Sequence, residues 1–391
     1  MVKVKDLEYL LPYLVKTRRY LHAHPETGFD LEKTHDFVMN ELLTMGIEVI
    51  PHVGKNSLLG ILKNGNGPVI GLRADMDALP LQEMNKELSY CSKNDGKMHA
   101  CGHDAHTAML LTAATYLSTH LNEWEGTVYF VFQEAEEGPN PGGAYGIVES
   151  GLLEKVERFY AFHVSSLFES GKIAAKKNEA MASADTIQMT LFGKGAHAAY
   201  PHLGIDPIIM ASEVIQATQL ILSRKKNPLT PAVITIAQVH AGTTHNIIPD
   251  SAYLEGTVRT FSYELRDWIK EEIKKVLEAV SIKNGGSYKY EYIYEYDPTI
   301  NTPSEVDYVQ KIVHQTLGEE AFIEILEPSM GAEDFSRYIK YRQGCMLWLG
   351  TKKSDETSYS LHHPKFNLDE EALLTGSTTF VNIISSFRKG E

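Results

Sequence analysis

Three observations predict an α/β fold: a mixed, largely parallel sheet with helices on both faces, plus an inserted α+β domain of ferredoxin-like order. Helix and strand patterns alternate over roughly the first 180 residues of the 391-residue chain. The strands there are near-continuous apolar runs, which a sheet covered on both faces requires. After about residue 180 the strands alternate polar and apolar residues, as a sheet with one open face does.

Each element follows in order. The N-terminal MVKVKDLEYLLPYLVKTRRYLHAHPE is an amphipathic helix pattern. LEKTHDFVMNELLTM (31–45) suits a surface helix, and SLLGILK and PVIGLRADMDALP read as strands, the second running into a loop of acids. HTAMLLTAATYLSTHL is a helix rich in alanine and leucine. GTVYFVFQEAEEG is a strand of β-branched and aromatic residues that ends in carboxylates, and RFYAFHV is a shorter strand carrying His163.

The second pattern begins with ADTIQMTLFGKGAHAA. It continues through the helix DPIIMASEVIQATQLILSR, the strands AVITIAQVHAG and SAYLEGTVRTF, the helix YELRDWIKEEIKKVLEAVSIKNG and the strand YKYEYIYEY. That is strand–helix–strand–strand–helix–strand. The α/β pattern returns at TPSEVDYVQKIVHQTL. The expected organisation is a split domain of residues 1–182 and 300–391 holding a domain of residues 183–299.

Composition narrows the function classes. The formal net charge is −14, with acids spread along the chain, and this opposes nucleic-acid binding. Three cysteines cannot build a disulfide framework. No run approaches the roughly 18 apolar residues that span a bilayer, and the N-terminus lacks the pattern of a signal peptide. The expectation is a soluble, cytoplasmic protein with no nucleic-acid or membrane partner.

Four groups of candidate ligands fall at strand ends or a helix start, where open α/β sheets bind ligands. They are Asp75 and Asp77; Cys101 and His103; Glu134, Glu136 and Glu137; and His163. His362 and His363 follow near the C-terminus. Each has a plainer reading as a core histidine, a solvated acid or a small buried thiol. Their coincidence favours metal, because unpaired buried charge is costly. Thiolate, imidazole and carboxylate together suit a borderline divalent ion, and the donors are too many for one tetrahedral ion. Two ions roughly 3.5–4 Å apart would use them.

The motifs LRADMDALP, MHACGHDAHT, FQEAEEG, AFHV, GKGAHAAYPHLGIDPI, HNIIPDSAYLEGTVR, GAEDF and LHHPKF stand in this order in the chain. In this the chain resembles the aminoacylase/carboxypeptidase family of dinuclear metallohydrolases. It is most similar to the amidohydrolase branch of hippurate hydrolases, hydrolases of indoleacetyl–amino acid conjugates and N-acetyldiaminopimelate deacetylases. The resemblance implies cleavage of N-acyl amino acids, of N-acetyl or N-benzoyl type, to a carboxylate and a free amino acid. A metallo-carboxypeptidase or dipeptidase of the same fold is the alternative.

By that resemblance Cys101, His103, Glu137, His163 and His362 hold two divalent ions per chain, Mn²⁺ first, with Zn²⁺ or Co²⁺ as alternatives. Cys101 bridges them. Glu136 is the general base and Asp77 orients an imidazole near the centre. Asp104 is also expected to orient a ligand imidazole, with His99 and His106 supporting. The inserted domain becomes a lid and dimerisation domain, which implies a homodimer or higher assembly. His197 then stabilises an oxyanion, Asn246 and Arg259 hold the substrate carboxylate, and Glu333 lies near the substrate. Two departures stand out. The family this chain resembles commonly has proline where this chain has Glu134, and serine where it has His363.

Overall fold

A computed structural model describes residues 1–386. The chain forms two compact units. One comprises Met1–Ala180, Ile300–Pro328 and the segment from Asp334 onward; the other comprises Met181–Thr299 with Ser329–Glu333. The α/β pattern from residue 300 onward is continuous in the sequence, yet the short stretch Ser329–Glu333 clusters with the second unit.

The first unit is built on an eight-stranded sheet. Its early strands are β1 (Glu48–Val53), β2 (Ser57–Asn64), β3 (Val69–Asp75), β4 (Gly126–Gln133) and β5 (Arg158–Glu169). The order is β1-β2-β4-β3-β5, then Gln343–Lys352, Ile173–Ala175 and Phe322–Glu324. The centre, β4-β3-β5 and Gln343–Lys352, is parallel, while β1–β2, β2–β4 and Gln343–Lys352 with Ile173–Ala175 are antiparallel. β1 carries no clear strand signal. Its sequence EVIPHV contains a proline, which is tolerated at a sheet edge.

Both faces of the central strands are buried, which is why they read as apolar runs. Ile70, Leu72, Phe130, Phe132, Tyr160 and Phe162 face one cluster; Tyr129, Val131, Phe159 and Ala161 face another. The first cluster includes residues of α1 (Leu11–Ala23), α2 (Glu32–Thr44) and α3 (His103–Thr119), and of helices Pro303–Leu317 and Ala372–Ser385. The second takes α4 (Gly143–Glu149) and the short helix Ser336–Ile339. Each such large side chain contributes about 1.5–3 kcal/mol by leaving water. The sheet is therefore a fixed platform for whatever its strand ends carry.

The second unit is a four-stranded antiparallel sheet in the order Ala232–Ala241, Ser251–Thr260, Ala184–Phe192, Ser287–Tyr296. In chain order that is 2-3-1-4, the ferredoxin-like arrangement. Helices Pro207–Leu220 and Tyr263–Asn284 share one core with the sheet, through Met210, Val214, Ile269, Ile273 and Leu277 against Ile187, Met189, Leu191 and Leu254. Both helices are capped at their start. The Asp206 carboxylate accepts from the Ile208 N–H at 2.9 Å, and the Ser262 hydroxyl from the Leu265 N–H at 3.1 Å. A short ribbon pairs Ala196–His197 with Ile247–Ile248.

Candidate metal centre

The parallel strands deliver polar residues to one edge of the sheet. β3 ends at Asp75, Asp77 follows, and β4 ends at Gln133 just before Glu134–Glu137. Arg73 of β3 lies level with Ala161 of β5, which sets His163 near the end of β3. Cys101 and His103 flank Gly102 at the start of α3. Gly102 has φ +84, and a Cβ there would meet Val164 Cγ2 at 2.4 Å. Only glycine accommodates both the left-handed backbone and the close approach to β5. The thiol and the imidazole two residues apart can therefore face one centre.

Hydrogen bonds fix the aim of the histidines. His163 Nδ1 donates to the Val164 carbonyl at 2.7 Å, so the lone pair of Nε2 points outward, 3.3 Å from Cys101 Sγ. His103 Nδ1 lies 3.3 Å from Asp77 Oδ1, and its buried Nε2 has no hydrogen-bond partner. His106 differs. Its Nε2 accepts from the Val164 N–H at 2.9 Å, so Nδ1 carries the proton and donates to Asp75 Oδ1 at 2.6 Å. Both of its nitrogens are committed, which leaves none for a metal.

Asp77 also clamps the acidic loop. Its two oxygens accept from the backbone N–H groups of Glu136 and Glu137, each at 3.0 Å. Ala135, just before them, has φ +49, and His362 has φ +65. Non-glycine residues rarely adopt this conformation, and such strain concentrates at functional sites. The His362 N–H donates to the Ala100 carbonyl at 2.8 Å, and its Nε2 lies 2.9 Å from Glu137 Oε1. Glu136 Oε2 is 3.9 Å from His103 Nε2.

Two donor groups share Cys101, namely Cys101/His103/His163 and Cys101/Glu137/His362, and His103, Glu136 and Glu137 form a further group beside them. Within each, the ligand atoms all lie within 4.8 Å of one another. All these residues lie in the first unit. A soft sulfur shared by two sets of imidazole and carboxylate donors, with a buried imidazole nitrogen that has acids nearby but no hydrogen bond, fits a pair of borderline divalent ions.

The electrostatics favour positive charge. Burial lowers the His163 pKa to about 3, helped by His106, so this ring is neutral and its lone pair available. Burial also opposes charge on His103, but Asp75, Asp77 and Glu137 outweigh it and raise its pKa to about 10. Burial, with Glu137, Glu136 and Asp75, pushes the Cys101 thiol well up. The acids thus call for a cation, and a divalent ion would displace protons from His103 and Cys101.

Other residues take structural parts. Asp104, expected to orient a ligand imidazole, turns away instead: its Oδ2 contacts Arg18 Nε at 2.9 Å and His22 Nδ1 at 2.8 Å. The reason is helical spacing, since consecutive residues of α3 point in different directions. Glu134 accepts from the Lys55 N–H at 2.8 Å and from the Asn56 N–H, closing the turn between β1 and β2. His363 Nδ1 accepts from the Lys365 N–H at 3.0 Å and its ring stacks on Tyr359, whereas His362 is the one that joins the donor group with Cys101 and Glu137. No local pattern in the chain points to a clasp in which Arg73 donates to Asp75 (2.7 Å), Asp334 (2.9 Å) and Gln133 (2.9 Å). Asp334 is 261 positions from Arg73, and only its place beside Glu333 in GAEDF could have drawn attention to it.

The remaining candidates, His197, Asn246, Arg259 and Glu333, lie in the second unit. The ribbon brings two of them together: the Ala198 N–H donates to the Asn246 carbonyl at 3.0 Å, and His197 pairs with Ile247. His197 Nδ1 accepts from the Ala199 N–H at 3.1 Å. Arg259 lies on the strand Ser251–Thr260, and Glu333 ends the segment Ser329–Glu333.

Residues 71–386 match the family described as peptidase family M20/M25/M40. The chain belongs to that family. It is a hydrolase with similarity to several differently named relatives. It is 37% identical over 379 residues to an N-acetylcysteine deacetylase of Bacillus subtilis, covering 95% of each chain. It is 34% identical over 376 residues to thermostable carboxypeptidase 1 of Saccharolobus solfataricus, covering 95% of this chain and 94% of that one. Among solved structures, a Bacillus subtilis protein described as a dinuclear metal-binding peptidase of the M20 family superposes with a TM-score of 0.85. It is 33% identical, with 97% of this chain and 98% of that chain covered.

Proposed function

We propose that this hydrolase cleaves the amide bond of N-acyl amino acids, using two divalent ions held by Cys101, His103, Glu137, His163 and His362. The observation that carries the reading is the membership of Cys101 in two donor groups, with Glu136 beside them. The bound ions supply Lewis acidity and lower the pKa of the attacking water. Glu136, adjacent to Glu137 and held in place by Asp77, takes a proton from the water and returns it to the departing amine. Asp77 holds the His103 ring and the acidic loop together, so one carboxylate fixes both a ligand and the base.

The second unit serves as the lid and dimerisation domain of a homodimer. There His197 stabilises the oxyanion, Asn246 and Arg259 hold the substrate carboxylate, and Glu333 lies near the substrate. Arginine suits that task through its bidentate fork. Mn²⁺ is the favoured ion, ahead of Zn²⁺ and Co²⁺. The three cysteines are all free, which fits a reducing, cytoplasmic setting. Among the described residues no helix is long and apolar enough to cross a membrane.

The test is turnover of N-acetyl and N-benzoyl amino acids, and of dipeptides, with Mn²⁺, Co²⁺ or Zn²⁺ added and metal content measured. Release of free amino acid from the acylated substrates supports the reading. Turnover of dipeptides alone assigns the enzyme to the peptidases, as the carboxypeptidase relative's name would have it. Protein that binds metal but cleaves none of these overturns it.

A further inference from the structure

We propose that Asp75, His106 and the Val164 peptide form a relay that sets the tautomer and aim of His163, and so supports one of the two metal positions selectively. The proposal rests on the dinuclear reading above and deepens it.

The relay has one hydrogen-bond polarity throughout. Asp75 Oδ1 accepts from His106 Nδ1 at 2.6 Å, which forces the proton onto that nitrogen and leaves Nε2 as an acceptor. Nε2 takes the Val164 N–H at 2.9 Å. The carbonyl of the same residue takes the proton of His163 Nδ1 at 2.7 Å. The outcome is a His163 Nε2 lone pair facing Cys101 Sγ at 3.3 Å. Asp75 is itself held. Its second oxygen accepts from Arg73 at 2.7 Å, and Arg73 is anchored by Asp334 and Gln133. Asp75, Arg73 and His106 are all buried, so water does not compete for these bonds.

The geometry separates this role from direct ligation. Asp75, His103 and His106 also lie close enough together to hold an ion. However, the Asp75 oxygens are engaged by His106 and Arg73, and both His106 nitrogens are in use. Asp75 and His106 are therefore positioning residues. They reach His163 through the Val164 peptide; the His106 ring also lies against the His163 ring, with centroids 4.7 Å apart, and Asp75 Oδ2 is 3.7 Å from His103 Nε2, so their contacts fall on the Cys101/His103/His163 group. Loss of the relay should weaken the position that uses His163 and spare the one that uses Glu137 and His362.

The experiment is stepwise Co²⁺ titration of metal-free full-length protein, followed by visible absorption and by ions retained per chain. Wild type is expected to take up two ions. His106→Leu removes both hydrogen bonds of the ring. One of its two binding steps should weaken about 10- to 100-fold, with the other unchanged. His106→Gln restores an acceptor near the Nε2 position and should recover most of that loss. Asp75→Asn, which sets a donor against Arg73 or His106, should repeat the selective loss and serves where His106→Leu does not fold. Equal weakening of both steps, or none in folded variants, overturns the relay while the dinuclear reading stands. A wild type that takes up no pair of ions overturns both.

Discussion

The first and second units each bury a group of charges, and the two groups differ in how completely they are paired. In the second unit Arg266 donates through Nε to both Asp185 oxygens at 2.8 Å and through a terminal nitrogen to Asp297 at 2.7 Å. The Tyr292 hydroxyl adds a further bond to Asp185 at 2.7 Å. In the metal centre, Asp77, Glu136 and Glu137 surround an imidazole and a thiol, and the buried His103 Nε2 lacks a hydrogen-bond partner. Buried charge alone does not mark function. A donor set whose charge only a cation would balance does.

The comparison breaks most visibly at Glu136. Glu136→Gln keeps the shape of the side chain and removes its ability to carry a proton. We expect kcat to fall by about 10²–10⁴ with two ions still bound, measured by steady-state kinetics beside metal analysis. If the variant loses its metal as well, Glu136 is a ligand and the division of labour with Glu137 is wrong.

On the paired side the effect falls on stability. Arg266→Met leaves Asp185 and Asp297 buried without their cation, and breaking such a pair costs about 3–5 kcal/mol. Chemical denaturation should register this loss, with the transition that reports the second unit shifting to lower denaturant. Metal content in the native state should stay at the wild-type level. An unchanged unfolding curve would mean that Arg266 contributes no net stability.

Protonation sharpens the contrast further. In the metal-free centre the acids hold a proton on His103 up to about pH 10, and the Cys101 thiol stays protonated well past its usual range. Both protons must leave when a metal is bound, so affinity rises with pH below that point and falls on acidification. Calorimetric titration with Zn²⁺ near pH 7, repeated in buffers of different ionisation enthalpy, should show release of about two protons per chain. A heat that does not depend on the buffer would place these residues outside the ligand set.

How much of this was legible in the sequence follows from the range of each interaction. The strands and the helix α3 were readable because their burial repeats locally, as in VYFVFQ and TAMLLTAATYL. Cys101, His103, Glu136 and Glu137 stood out because charge or thiol breaks an apolar run. The Arg73–Asp334 clasp was not readable, since its partners meet only through the sheet. Asp104 was misread for a related reason. It is next to the candidate ligand His103 in the chain, yet one step along a helix turns its carboxylate toward Arg18 and His22. Adjacency in sequence predicts shared location but not shared direction.

The two neighbouring histidines near the C-terminus put that rule to its finest test. His362 adopts φ +65 and places its ring against Glu137. His363 turns back on its own loop, accepts from the Lys365 N–H and stacks on Tyr359. His363→Ser removes a local bond and a ring contact at a site that is not deeply buried. Such changes usually shift stability by no more than about 0.5 kcal/mol, and we expect two bound ions and near wild-type kcat/KM. His362→Ala differs by one position and should lose the ion that depends on Glu137. Metal analysis of the two variants side by side decides the matter. If His363→Ser is the one that loses metal, the register of the last ligand is off by one and the strained backbone at His362 needs another cause.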